Sequence, residues 1–321
     1  MAEWDKQKVL AIGGPTASGK TSLSIQLAKK LDGEIICADS MQIYKELDVG
    51  TAKVTKEEMQ GVPHHMVGFL SPAQKFSVAD FVEMAKSCIE EIASRGKLPI
   101  VVGGTGLYIE SLLKGIQFSE QKTDETLRVA LQKQAEEFGP IEMHHRLQQI
   151  DPEYAKEVHP NNVGRVLRAI ELFQSTGITM TQQRANSLPK QKPYNSLLFC
   201  IGFENRKTLY ERIDLRVDQM MQQGLLQEAE LVYKNRETYK TAAQAIGYKE
   251  FFPYFQGEQS VEQCAEVLKQ ASRNYAKRQL TWFRRMEDVF WLDAEKQDLL
   301  RCALSVVEKT WSLESECEKR E

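Results

Sequence analysis

Residues 8–31 read KVLAIGGPTASGKTSLSIQLAKKL, and this stretch decides the fold. Lys8 to Ile12 is a short apolar run of strand type, and Gly13 to Gly19 is a glycine-containing turn. Leu23, Leu27, Ala28 and Leu31 then recur at helical spacing until Asp32-Gly33 ends the pattern. Between strand and helix, Gly14-Pro15-Thr16-Ala17-Ser18-Gly19-Lys20-Thr21 matches G-x-x-x-x-G-K-[ST], in the context that motif requires. Glycines let successive backbone N–H groups turn inward as an anion-binding nest, and the helix that follows adds its dipole. Lys20 supplies a mobile cation for phosphate oxygens, and the Thr21 hydroxyl can ligate Mg²⁺. Such a loop reads two linked phosphates. ATP is the usual occupant, but the motif does not demand a nucleotide.

Working outward, strand-like and helical segments alternate. Ile35 to Ala38 is a second apolar strand running into Asp39, and Phe81 to Ala93 is helical. Leu98 to Val102 is a third strand, which runs into Gly103-Gly104-Thr105-Gly106 and an apolar helix, Leu107 to Leu113. This alternation predicts an α/β fold with a P-loop NTPase-like, doubly wound parallel sheet. From Thr123 to Gln183 the pattern is helical throughout, with breaks at Gly139-Pro140, Asp151-Pro152 and His159-Pro160. Leu197 to Gly202 returns to a buried strand, and long amphipathic helices follow to Trp282. The expected organisation is a discontinuous catalytic core, 1–116 and 196–321, interrupted by an all-helical insertion at 117–195.

The chain has 321 residues, with 42 basic and 45 acidic side chains. At first sight a net charge of −3 argues against a nucleic-acid partner. Its distribution reverses that inference. Met286 to Glu321 holds ten acids and five bases, leaving residues 1–285 slightly positive. Lys269 to Arg285 carries six bases and no acid, and Leu172 to Phe203 carries three, again with no acid. Basic stretches of this kind suit phosphate backbones. The six cysteines form no C-x-x-C pair, which speaks against zinc ribbons and disulfide frameworks and for a reducing, cytoplasmic setting. The longest apolar run is seven residues, far short of a membrane span, and the first residues lack the pattern of a signal peptide.

Asp39 stands at the carboxyl end of its strand, along the edge where open parallel sheets bind substrates. It reads as a magnesium–water ligand, a general base, or the cap of the turn Asp39-Ser40-Met41. Thr105 faces the same edge and would donate to a substrate or cap its helix. His64-His65 lacks a third ligand at useful spacing, so no metal site is expected there.

Taken together, GPTASGKT (14–21), DSMQIY (39–44), GTAK (50–53), VPHH (62–65), GGTGLY (103–108), His159-Pro160-Asn161-Asn162 with Arg165 and Arg168, and RNYAKRQLTWFR (273–284) closely resemble the bacterial tRNA dimethylallyltransferases. The resemblance runs from about Leu10 to Leu292 and leaves the acidic tail beyond Asp293 unmatched. It implies transfer of a dimethylallyl group from dimethylallyl diphosphate to N6 of the adenosine 3′-adjacent to the tRNA anticodon. Gly14 to Thr21 would hold the diphosphate, with Mg²⁺ on Thr21 as the one cofactor. Asp39 becomes the general base on the adenine amine, supported by Thr105, and Arg216 reaches the diphosphate, with Arg212 as the competing match. The adenosine must leave its stack to react. Asp39, Ser40, Met41, Gln42 and Thr105 would surround it, while Arg128, Arg165, Arg168, Arg273, Lys277, Arg278 and Arg284 contact the anticodon stem-loop.

One departure is Asn162, where the family commonly has Asp. A helix-capping role survives that change, and a role needing negative charge does not. The competing reading is a P-loop small-molecule kinase, which should show an arginine-bearing lid. A GTPase switch would need N-K-x-D, and the sequence has none. A monomer is expected.

Overall fold

The computed structural model describes residues 6–118, 125–189, 191–296 and 298–317. The chain divides into two compact units, Met1–Leu113 with Pro193–Glu321, and Lys114–Lys192. Both divisions fall slightly N-terminal of those read from the sequence.

In the first unit, strands β1 (Lys8–Gly13), β2 (Gly33–Cys37), β3 (His64–His65), β4 (Leu98–Gly103), β5 (Asn195–Gly202) and β6 (Val289–Asp293) form one sheet. Its order is β3-β2-β4-β1-β5-β6, and every neighbouring pair is parallel. The helices are α1 (Lys20–Lys30), α2 (Lys56–Met59), α3 (Val78–Ser94) and α4 (Gly106–Lys114). In the second unit lie α5 (Glu125–Ile150), α6 (Pro152–Glu157), α7 (Val163–Thr176) and α8 (Met180–Ser187). The first unit resumes with α9 (Arg206–Gln222), α10 (Leu225–Lys234), α11 (Phe252–Phe255), α12 (Val261–Phe283) and α13 (Leu299–Cys317).

Period-two alternation decides which helix covers which face. Leu10, Ile12, Phe199 and Ile201 point to one side, where they pack on Leu23 and Leu27 of α1 and on Ala303, Val307 and Trp311 of α13. Val9, Ala11, Leu198 and Cys200 point to the other, against Phe81, Ile89 and Ile92 of α3, Ile109 of α4 and Phe283 of α12. Helices on both faces of a parallel sheet, with a glycine loop between β1 and α1, make this a P-loop NTPase-like fold. A third cluster, built on Ile43, Tyr44, Val217, Leu225, Tyr248, Phe251 and Leu268, joins α9, α10 and α12.

The sequence reading missed β6 and α13, and left the segment beyond Asp293 as an acidic tail. Ala303 and Val307 are buried, and Trp311 donates from Nε1 to the Asn195 side-chain oxygen at 3.2 Å. The acids mask an apolar stripe that closes one face of the sheet.

The second unit has its own core, with Leu131, Met143, Leu147, Val166 and Ile170 buried together. All three expected breaks are present. Gly139 takes φ 79° and ψ 167° ahead of Pro140 and interrupts α5. Asp151 caps α6 by accepting from the Tyr154 N–H, and Pro152 stands at its start. Asn162 occupies the N-cap position of α7, but its side chain accepts no capping hydrogen bond. The capping role expected there is therefore positional only.

Candidate functional site

Register assembles the site. Gly13 of β1 pairs with Gly103 of β4, so the two glycine loops open side by side at the carboxyl edge of the sheet. Cys37 pairs with Val102, which delivers Asp39 to the same place. Gly103 cannot carry a side chain, because a Cβ there would lie 2.0 Å from the Ala38 carbonyl oxygen.

In the phosphate loop, Gly14 and Gly19 take φ of 151° and 90°, values that suit glycine. Ser18 is buried, and among the described residues its hydroxyl has no hydrogen-bond partner. The Lys20 ammonium makes one long contact, 3.3 Å, to the Pro15 carbonyl. Burial, then the Arg216 guanidinium, pushes the Lys20 pKa down to about 8. Burial likewise lowers Arg216, against the pull of Asp39. Two half-buried cations side by side on these cavities, beside the buried Ser18 hydroxyl, suit an anion.

Asp39 Oδ1 accepts from the Met41 N–H at 2.9 Å and the Gln42 N–H at 3.3 Å. The turn-capping reading therefore holds, and Oδ2 has no such duty. Thr105 supports the same turn, since its Oγ1 accepts from the Ser40 N–H at 3.3 Å. Lys20, Thr21, Cys37, Asp39 and His64 line a small cavity of about 30 Å³. Lys20 and Asp39 also line a larger one, about 410 Å³, with Ser40, Met41, Arg216 and Arg278. On the other side of the loop, Ser18, Lys20 and Thr21 meet Arg212 and Arg216 along a cavity of about 690 Å³. Arg216 touches both large cavities. Arg212 touches one and stacks on Phe203, 5.1 Å from the ring centroid.

Thr21 and Asp39 offer hard oxygen donors on the 30 Å³ cavity, the donor type that Mg²⁺ takes. Burial and Asp39 push the neighbouring Cys37 thiol up, and its soft sulfur is a poor match for Mg²⁺. These residues fit the ion. The two histidines serve the scaffold: His64 Nδ1 lies 2.8 Å from the Val62 carbonyl, and His65 Nε2 lies 2.7 Å from Glu34.

The sequence reading missed Gln279 and Tyr275. Gln279 is buried, accepts from the Thr16 N–H at 2.9 Å, and donates to the Gly104 carbonyl at 2.9 Å. Tyr275 lines the 410 Å³ cavity with Gln279, and burial with nearby Asp39 raises its pKa to about 12. Both sit between the basic residues of α12, so the charge pattern drew attention away from the helix's inward face.

The expected RNA-contacting residues differ in how free they are. Arg278 lines the 410 Å³ cavity, and Lys277 and Arg284 line a recess of about 160 Å³. Arg273 is held by Asp214 at 2.5 Å and by Gln270 at 3.0 Å, so its guanidinium is largely committed within the fold. In the second unit Arg128 and Arg165 are exposed, and Arg168 pairs with the buried Glu171 at 3.1 Å.

Comparison with known proteins agrees throughout the chain. Residues 42–286 match the family model described as IPP transferase, and residues 7–68 match that of isopentenyl transferase. The tRNA dimethylallyltransferase of Bacillus cytotoxicus is 50% identical, over 98% of this chain and 99% of the relative. That of Bacillus cereus strain Q1 is 49% identical over the same shares. Among solved structures, the tRNA isopentenylpyrophosphate transferase of Bacillus halodurans superposes with a TM-score of 0.72. It is 41% identical, over 98% of this chain and 100% of its own. A eukaryotic dimethylallyltransferase acting on tRNA gives 0.76 at 32% identity, covering 96% of this chain and 77% of its own.

Proposed function

The chain belongs to the tRNA dimethylallyltransferase family, and from that membership we propose that it transfers a dimethylallyl group from dimethylallyl diphosphate to N6 of the adenosine beside the tRNA anticodon. The observation that carries this reading is the meeting of Lys20 and Asp39 on the same cavities. A group that holds a diphosphate and a group that can take a proton face one space.

The phosphate loop grips the donor's diphosphate through its backbone N–H groups, the Ser18 hydroxyl, Lys20 and Arg216. When bound, Mg²⁺ on Thr21 neutralises part of the diphosphate charge. An exocyclic amine is a poor nucleophile. Asp39 takes its proton through Oδ2 as nitrogen bonds to the allylic carbon, and the carbon–oxygen bond to diphosphate breaks. Negative charge gathers on the departing diphosphate, where Lys20 and Arg216 stand ready without further reorganisation. Thr105 and Asp39 Oδ1 keep the Ser40–Gln42 turn in place, so it forms the wall against which the extruded adenine lies. RNA is read on splayed bases with basic side chains holding the backbone, the role of Arg278, Lys277, Arg284, Arg128 and Arg165.

The enzyme acts as a monomer in the cytoplasm. Among the described residues no helix is long and apolar enough to cross a membrane. The deciding experiment supplies unmodified tRNA, Mg²⁺ and dimethylallyl diphosphate and measures prenylated adenosine. ATP turnover on a small alcohol without that product would establish the kinase reading instead.

A further inference from the structure

A recess of about 160 Å³ lies between α9 and α12, lined by Arg206, Tyr210, Lys277, Leu280, Thr281 and Arg284. Leu280 and neighbouring Leu209 are buried and make its floor. The Lys277 ammonium sits 6.0 Å from the centroid of the Tyr210 ring. Three cations thus converge on one depression whose lining holds no acid.

Their pairing state separates them from Lys207, Lys269 and Arg273 of the same two helices. Lys269 is bound by Asp218 at 2.9 Å and Glu266 at 3.0 Å, and Arg273 by Asp214 at 2.5 Å. Lys207, the neighbour of Arg206, lies 3.8 Å from Glu211. Of the acids around the start of α9, Glu295 is taken up by the Asn205 N–H and the Thr208 hydroxyl, and Glu204 pairs with Lys296. Among the described residues, no acid pairs with Arg206, Lys277 or Arg284. Arg206 is also the first residue of a 17-residue helix, where the backbone dipole adds positive potential. Clustering like charges without counter-ions is unfavourable unless an anion comes to them.

We propose that this recess binds a backbone phosphate of the RNA substrate, with Arg206 and Tyr210 of α9 completing a subsite that α12 only begins. The inference rests on the prenyl-transfer reading above. Continuity favours an RNA strand over a small free anion. The reaction cavity, with Ile213, Arg216 and Arg278, and the recess, with Arg206, Tyr210 and Lys277, are both lined by α9 and α12, so the recess continues the cavity along the same helix pair. The recess is lined by side chains and no glycine loop, the style of contact that positions a phosphodiester backbone. Tyr210 holds the Lys277 ammonium over its ring and limits the freedom that phosphate contact would otherwise remove.

The test measures binding of a labelled synthetic anticodon stem-loop RNA across a salt series for wild type, Arg206→Ala, Arg206→Lys, Lys277→Ala and the double variant R206A/K277A. Lys30→Ala, an exposed cation on α1, gives the baseline for loss of one charge. Arg206→Ala is expected to weaken binding roughly 5- to 20-fold at low salt and to flatten the log–log salt slope by about 0.7, the contribution of one single-stranded phosphate. Arg206→Lys keeps most of the slope. Because Arg206 and Lys277 share one phosphate, the double variant loses less than the product of the single losses. An Arg206→Ala protein indistinguishable from Lys30→Ala overturns the proposal. So does unchanged RNA affinity with weakened binding of inorganic diphosphate, which would assign the recess to a free anion. Prenylated adenosine is assayed on the same wild-type preparation. Product with no Arg206 effect sinks the recess alone, and an Arg206-dependent slope without product sinks the prenyl-transfer reading alone.

Discussion

Thr16 and Gln279 lie 263 positions apart in the chain and are joined by a 2.9 Å hydrogen bond from the backbone N–H of the first to Oε1 of the second. The other end of the same amide donates to the Gly104 carbonyl. One buried side chain from α12 thus ties the phosphate loop to the second glycine loop. A carboxamide suits this task, since it accepts and donates from one planar group.

Replacing Gln279 with Glu keeps the acceptor for Thr16 and removes the donor for Gly104, and it places a carboxylate near Asp39. Gln279→Glu should cut kcat at least tenfold while leaving the melting temperature within a few degrees. Gln279→Leu strands both backbone groups and should also destabilise the fold, by about 1–3 kcal/mol. Steady-state kinetics and thermal melts on the two variants separate these effects. Equal kcat losses with unchanged stability in both would refute the bridging role.

Asp39 has two separable duties. Oδ1 holds the turn through the Met41 and Gln42 N–H groups, and Oδ2 is left for chemistry. Asp39→Asn retains an acceptor of the same shape and loses the base. Single-turnover transfer should fall about 10²- to 10⁴-fold, the range for a general base, with stem-loop RNA binding preserved. Weakened RNA binding with an intact single-turnover rate would show that only the turn matters.

Much of this was legible in the sequence because the relevant signals are local. The phosphate loop, the apolar strands β1, β2, β4 and β5, and the three breaks of the helical unit each declare themselves within a few residues. Asp39 was placed correctly because it directly follows an apolar strand. What stayed hidden depends on partners distant in the chain. Gln279 looks like one more polar residue on a basic helix until Thr16 and Gly104 fold against it. Arg273 reads as a free cation until Asp214 of α9 meets it. α13 was obscured by composition, since the ten acids between Met286 and Glu321 hide the apolar stripe of Ala303, Val307 and Trp311 that gives the helix its place.

That helix yields its own prediction. Trp311 fills the face of the sheet beside α1, and its indole N–H donates to Asn195. Trp311→Ala should cost about 3–5 kcal/mol by the cavity it opens, seen as a lower denaturation midpoint. Trp311→Phe keeps most of the volume and loses the hydrogen bond, so its cost should be near 1 kcal/mol. A tail that merely drapes over the surface would make both substitutions silent.

Asp151 gives the helical unit a pH signature. Its carboxylate is buried, which by itself raises the pKa. Hydrogen bonds from the Thr181 hydroxyl at 2.6 Å, the Thr181 N–H at 2.9 Å and the Tyr154 N–H at 3.1 Å outweigh this and hold it below the ordinary 3.8. A carboxylate whose folded pKa is depressed stabilises the fold above its unfolded value, and that contribution drains away as pH falls through the folded value. The unit should therefore keep this increment down to about pH 4 and lose it progressively in stronger acid. Asp151→Asn, which cannot titrate and leaves Thr181 only one acceptor oxygen, should lower stability at pH 7 by about 0.5–1.5 kcal/mol, the range for one lost hydrogen bond. Its stability below pH 4 should fall less steeply than that of wild type. Denaturant titrations at pH 7, 4 and 3 decide the matter, since parallel pH profiles for the two proteins would exclude Asp151 as the group responsible.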